Sequence, residues 1–396
     1  MYKDGIMKKS DAVSLLGKLV SLASVEPTQT DRPGEIGGEA RMGDFFAEYM
    51  SGLGFEIRRQ EVLPGRCNVI ARRGPAEPKR IWLLESHMDT VGVDGMLHDP
   101  FAGEVRDGRL YGRGASDCKG AMAAAMDALA RIDLDAVEAR GDAILYIGAM
   151  GEETGNNGAR AVLPLLPERI SRTIVLEPTE SQVVHASKGI AALEIDFTGR
   201  SAHGSNPEVG LNAIYAAMEF VARLKKYAAA EAEVHRHPLV GSPSMNVGVV
   251  HAGIAPNVVP PACHLELDWR VVPGEDIADV KGALRGILDD MVREGLCLGA
   301  ELKQTQQNSP LVTPADSPLV REMVAACRAS GLESAPGGVR WCCDGSIFCP
   351  RSDETIVFGP GSIKQAHATV EYIDTLELER ASDALARVIG GGAGEQ

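Results

Sequence analysis

The chain has no run of about eighteen apolar residues, the length a helix needs to cross a bilayer, so nothing in it is expected to span a membrane. Its N-terminus, MYKDGIMKKSDAVSLL, has lysines but neither a continuous apolar segment nor a small-residue cleavage site, and no signal peptide is expected. The 8 cysteines follow no disulfide framework, and the cluster Cys342, Cys343 and Cys349 matches no recognised metal spacing. Reduced, mostly buried thiols in a cytoplasmic protein are the expectation. Positive charge is also short, with 40 Lys and Arg against 55 Asp and Glu and a net charge of −15. Nucleic acid needs clustered Lys and Arg, so it is not an expected partner. Repeats and low-complexity tracts are missing as well. GRLYGRGASDCKG holds neither G-x-G-x-x-G nor G-x4-G-K-[ST], which argues against a nucleotide enzyme.

What is present reads as a soluble globular chain. At 396 residues with 44% hydrophobic content, it is too long for one ordinary core, and two domains are expected. Helical spacing over Asp11–Leu22 and Glu39–Leu53 precedes strands at Phe55–Val62, Cys67–Arg72 and from Ile81. Helix Cys118–Ala130, strand Asp142–Ala149, helix Asn157–Leu166 and strand Arg172–Glu177 continue the alternation, which indicates an α/β unit with a mostly parallel sheet. The character changes near residue 186. Gly189–Thr198 and Ala262–Val272 alternate apolar and polar residues, as half-exposed antiparallel strands do. Between them a helix is expected with Asn206 as N-cap and Pro207 at its first position. The expected organisation is a discontinuous α/β domain over 1–185 and 299–396, with an inserted two-layer α+β domain over 186–298.

The chemistry gathers at strand ends. His87, Asp117, the pair Glu152-Glu153, Glu177 and His367 each follow a predicted strand or a tight turn. Open α/β sheets bind ligands in the crevice at the carboxyl ends of their strands. Histidines with carboxylates suit zinc, and two metals sharing a bridging Asp would need about this inventory. In the adjacent pair, one glutamate can coordinate while its neighbour acts as general base on a metal-activated water. Asp89 stands two residues from His87 and suits a carboxylate that orients it.

The segments SHMDTV, GRGASDCKGAMAA, GEETG, LEPT, SAHGSNPEVGLNAI, NVGVVHAGIAPNVVP, LDWRVVPG and FGPGSIKQAHATVEYI cover nearly the whole chain. With them it resembles the di-zinc amidohydrolase and exopeptidase family that includes acetylornithine deacetylase, succinyl-diaminopimelate desuccinylase, aminoacylase and glutamate carboxypeptidase. The resemblance implies that His87 and Glu177 hold one zinc, Glu153 and His367 the other, and Asp117 bridges. Cobalt or manganese can substitute. Glu152 would be the general base and Asp89 the residue that orients His87. The family's inserted domain usually mediates dimerisation and acts as a lid, so a homodimer is implied. His203 would stabilise the oxyanion, and Asn257 and Arg270 would contact the substrate, the Arg through its carboxylate.

FGPGSIKQAH with Glu371-Tyr372, LEPT and SKG look most like acetylornithine deacetylase. The implied function is hydrolysis of the amide bond of an N-acyl amino acid. A dipeptidase or carboxypeptidase, or a succinyl-diaminopimelate desuccinylase, is the alternative within the family, and a non-catalytic metal-binding protein the alternative outside it. Arg340-Trp341-Cys342-Cys343-Asp344 replaces the Gly-Gly-Thr-Ser-Asp stretch of the desuccinylase branch, so the substrate pocket differs there.

Overall fold

The computed structural model describes residues 10–391. The first nine residues, read above for a leader segment, lie outside them. Two compact units are present. One runs to His185 and resumes over Val312–Gly337 and from Cys343; the other spans Ala186–Leu311 with Gly338–Cys342. Among the described residues no helix is long and apolar enough to cross a membrane.

The first unit is built on a mixed sheet. Its central strands, Asp142–Ala149, Arg80–His87, Ile170–Val175 and Ser352–Val357, are parallel neighbours in that order. Arg66–Arg73 and Glu56–Leu63 extend it antiparallel at one side. Asp142–Ala149 is buried along its whole length, as a strand covered on both faces must be. Helix Lys119–Arg131 is buried on nearly every side. Its run of small residues at Ala121 and Ala123–Ala125 lets Ala12–Ser21 and Thr375–Gly390 pack close. Lys119, itself buried, donates from Nζ to the carbonyls of Leu19 and Leu22 at the end of helix Ala12–Ser21, where the Leu19 carbonyl also accepts the Leu22 N–H. Thr375–Gly390 starts where Asp374 accepts the amides of Leu376 and Glu377, and stops at Gly391 with φ 88°. Trp82, Phe46, Tyr146 and Leu385 lie in one apolar core.

A small sheet was not expected: Glu104–Arg106, Arg109–Tyr111 and Tyr372–Asp374. Three-residue strands are too short to show a period. They tie the chain after His367 to the segment before Asp117.

In the second unit the antiparallel order is Ser244–Ala252, Ala262–Val271, Gly189–Thr198 and Gly299–Asn308. Leu193 and Leu267 are register partners on the inner face, with Ile195, Phe197, Leu265 and Trp269 alongside. Helices Ala213–Val234 and Ile277–Arg293 cover that face. Two expectations are corrected here. The inserted unit does not end at 298: Gly299–Asn308 pairs with Gly189–Thr198 and completes the sheet. Its polar sequence hid it, because an edge strand needs little burial. The helix also starts later than Asn206. Pro207–Val209 is a single turn, and Asn212 is the N-cap, accepting from the amides of Ile214 and Tyr215.

Candidate metal centre

Because the central strands run parallel, their carboxyl ends share one edge of the first unit. His87 closes its strand and is buried. Its Nδ1 donates to the carbonyl of Asp89 at 3.0 Å, which leaves Nε2 as the coordinating nitrogen. That Nε2 lies 3.0 Å from Asp117 Oδ1 and 4.0 Å from Glu177 Oε2. Asp117 turns its other oxygen, Oδ2, toward His367 Nε2 at 3.6 Å. His367 Nε2 in turn lies 3.1 Å from Glu153 Oε2, while Glu153 Oε1 is buried without a hydrogen-bond partner. His87, Asp117 and Glu153 each offer a donor atom within 4.8 Å of the others.

Asp89 does more than face His87. Its carboxylate stands 3.5 Å from His87 Nδ1, and its two oxygens accept the backbone N–H groups of Glu152 and Glu153, each at 3.1 Å. A fully buried carboxylate thus fixes the turn that carries the glutamate pair. Burial tends to raise Asp89, but His87 and those two amides hold it below the usual carboxylate range. Glu39, buried and paired with Arg66, accepts the neighbouring Gly151 N–H at 3.1 Å. Gly158 belongs to the same support: a Cβ there would stand 2.4 Å from the Met150 carbonyl, so only glycine lets the next helix approach.

Negative charge is in excess. Burial, reinforced by repulsion from Asp344, pushes Glu85, Glu152 and Glu177 well above the usual carboxylate range, and burial raises Asp344 to about 6. His87 is raised although burial opposes it, because hydrogen bonds to Asp117 and Asp89 favour its charged form. Carboxylates buried this close together repel one another, and divalent cations bound among them would relieve that repulsion. Imidazole and carboxylate donors, an unpartnered buried oxygen and a carboxylate shared between two imidazoles all fit such ions. Cys118 Sγ also lies within 4.8 Å of donors on His87 and Glu177, but it donates to the His87 carbonyl, and burial keeps its thiol protonated.

His87, Asp89, Asp117, Glu152, Glu153, Glu177 and His367 therefore converge in the first unit. An open cleft of about 390 Å³, lined by Gln29, Asp94 and Arg113 among others, borders two of them, Glu153 and His367. A larger groove of about 500 Å³ at Ile57, Ile70, Ile81 and Leu145 holds none of the ligand-type side chains. His203, Asn257 and Arg270 belong to the second unit. His203 and Asn257 occupy adjoining exposed turns, joined by Gly204 N–H donating to the Asn257 carbonyl at 2.7 Å. Arg270 is half-buried and donates from Nε to Asp268 at 2.8 Å.

Sequence reasoning missed Asn156, whose Nδ2 donates to Glu152 Oε1 at 2.9 Å. The only signal was its place in GEETGNNGAR. Glu85 and Asp344 were missed because one reads as a strand residue and the other as a loop acid.

The model of peptidase family M20/M25/M40 matches residues 83–390. An acetylornithine deacetylase of Myxococcus xanthus is 31% identical over 353 residues, covering 87% of this chain and 90% of that one. A tripeptidase from Staphylococcus aureus superimposes with a TM-score of 0.74 at 21% identity, covering 97% and 98% of the two chains. A dinuclear metal binding peptidase from Bacillus subtilis superimposes with a TM-score of 0.69 at 16% identity, covering 96% and 97%. With the family model matching well over half of the sequence, the chain belongs to peptidase family M20/M25/M40 and is an enzyme of the metallopeptidase and amidohydrolase type.

Proposed function

We propose that the enzyme hydrolyses the amide bond of an N-acyl amino acid and depends on two divalent ions, zinc first, with cobalt or manganese able to substitute. His87 and Glu177 would hold one ion and Glu153 and His367 the other, with Asp117 offering an oxygen to each. The observation that carries this proposal is Asp117, with its two oxygens directed at two different imidazoles. Bound ions would lower the pKa of a water toward neutrality and polarise the scissile carbonyl. Relatives described as acetylornithine deacetylases and a dinuclear neighbour support the substrate class and the metal count.

The chain's own groups do the rest. Glu152, its carboxyl raised by burial and Asp344, takes a proton from water and returns it to the leaving amine. Asp89 holds the turn and His87. His203 Nδ1 accepts the N–H of Ser205 at 3.2 Å, with Ser205 Oγ 2.7 Å away, so Nε2 is left as the N–H. That tautomer can donate to a developing oxyanion. Arg270 offers a guanidinium to the substrate carboxylate and Asn257 an amide to its polar groups. The second unit mediates a homodimer and acts as a lid, and the enzyme works in the cytoplasm.

Zinc-loaded protein assayed on N-acetylornithine, other N-acetyl amino acids, N-succinyl-diaminopimelate and a dipeptide panel tests this proposal, with Glu152→Ala as control. Turnover of N-acetyl amino acids, falling by about 10²–10⁴-fold in the variant, is expected. Comparable turnover of dipeptides would make the enzyme a peptidase, and preference for the succinyl substrate a desuccinylase. No turnover of any amide by the zinc-loaded protein would sink the proposal.

A further inference from the structure

Glu371 lies four residues beyond His367 and is fully buried. Its carboxylate accepts three backbone N–H groups and one guanidinium. Oε1 accepts the N–H of Ser116 at 2.9 Å and of Asp117 at 3.1 Å; Oε2 accepts the N–H of Gly114 at 3.0 Å and Arg113 Nη1 at 2.6 Å. Arg113, buried as well, carries the rest of its guanidinium to two carbonyls. Nε donates to Gly92 O at 3.0 Å and Nη2 to Ala368 O at 3.3 Å. One ion pair therefore reaches three ligand-bearing segments: the loop ending at Asp117, the chain just after Asp89, and the residue next to His367.

These segments differ in how else they are held. His87 ends a strand, and Glu177 follows one closely, so the sheet positions both. Asp117 sits in a tight loop, and His367 has a left-handed backbone with φ 60° and an exposed side chain. Backbone amides converging on a carboxylate form a rigid concavity, and a carboxylate can satisfy all of them at once. Without it the N–H groups of Gly114, Ser116 and Asp117 would be buried and unpaired.

We propose that Glu371, paired with Arg113, is a positioning residue that preforms the Asp117 loop and holds it at a fixed separation from the His367 loop before any metal arrives. It thereby governs chiefly the affinity of the ion assigned to Glu153 and His367. The proposal rests on the assignment of metals to Asp117, Glu153 and His367. In Glu371→Gln the shape is kept, but one oxygen becomes an amide NH₂ that cannot accept a backbone N–H.

Zinc titration of metal-free wild type and Glu371→Gln, by calorimetry with chelator competition, tests it alongside the thermal midpoint of both metal-free proteins. Wild type should take up two ions. The variant should bind one ion within about threefold of wild type and the other about 10–100-fold more weakly, at a little-changed metal-free midpoint. Two ions bound as in wild type would overturn the clamp alone. Equal weakening of both ions with a collapsed midpoint would also overturn it, leaving Glu371 a structural residue only. Wild type that binds no divalent metal would overturn the metallohydrolase assignment and the clamp with it. Amide hydrogen exchange on wild type decides the matter should the variant not fold. Protection of Gly114, Ser116 and Asp117 that survives metal removal supports preformation, and exchange set free by metal removal overturns it.

Discussion

Asn156 donates its side-chain N–H to Glu152 Oε1 across 2.9 Å, from a backbone held in the left-handed region at φ 59°. The bond occupies one oxygen of the assigned base and orients the other. Asn156→Ala should leave KM within about threefold and lower kcat about 10–100-fold, since misplacing a base by about 1 Å costs rate rather than ground-state binding. Steady-state kinetics on the best N-acyl substrate checks this, and an unchanged kcat would remove Asn156 from the site.

Asp89 accepts two amides from the turn that carries Glu152 and Glu153. Asp89→Asn must turn an NH₂ toward one of those N–H groups, so the turn shifts although size is conserved. A loss of metal affinity of about 10–100-fold is expected, read by chelator competition. Zinc binding equal to wild type would show that the turn holds itself.

In the second unit His264 Nδ1 lies 2.7 Å from Asp196 Oδ1, with Lys303 Nζ 3.5 Å from the other oxygen and Glu266 and the stacked His251 nearby. The hydrogen bond to Asp196 raises the His264 pKa, and the same contact lowers that of Asp196. For the raised histidine, the stabilisation is full below its unfolded value of about 6.5 and is lost as pH rises through the higher folded value. For the lowered aspartate, it is full above the unfolded value of about 3.9 and is lost as pH falls through the lower folded one. The pair therefore helps most in the window between those unfolded values. Asp196→Asn should lower the thermal midpoint more at pH 5.5 than at pH 8.5, by a modest amount because the pair is near the surface. An equal shift at both pH values would contradict the linkage.

Helix Ala213–Val234 leaves Tyr215 and Met218 exposed at 70% and 65%, and Ser244–Ala252 is an edge strand of its sheet with Val250 exposed at 58%. If the homodimer forms through this unit, these apolar residues are its natural cover. Tyr215→Glu with Met218→Glu should convert the dimer to monomer in light scattering while each protomer stays folded. A double variant that remains dimeric would place the interface elsewhere.

Much of the candidate metal centre was legible because its donor-type residues follow strands or tight turns in short, recognisable segments. SHMDTV carries His87 and Asp89, GEETG carries Glu152 and Glu153, and LEPT carries Glu177. The inner faces of the second unit were legible as well, since Leu193, Ile195, Leu265 and Leu267 alternate with polar neighbours over strands long enough to show the period. Gly299–Asn308 failed that test as a polar edge strand, and Asn206 gave a helix signal that Asn212 fulfilled.

The sequence by itself determined the alternation of strands and helices, the change to an antiparallel unit, and which residue types could serve as donors, because those depend on neighbours a few positions apart. The tertiary structure alone decided that Asp117 turns each oxygen to a different histidine, that Asp89 clamps the glutamate turn, and that Glu371 grips a loop 254 residues before it. No local pattern encodes such contacts. They exist because folding buries backbone N–H groups that must find acceptors, and the nearest carboxylates in space are far away in sequence.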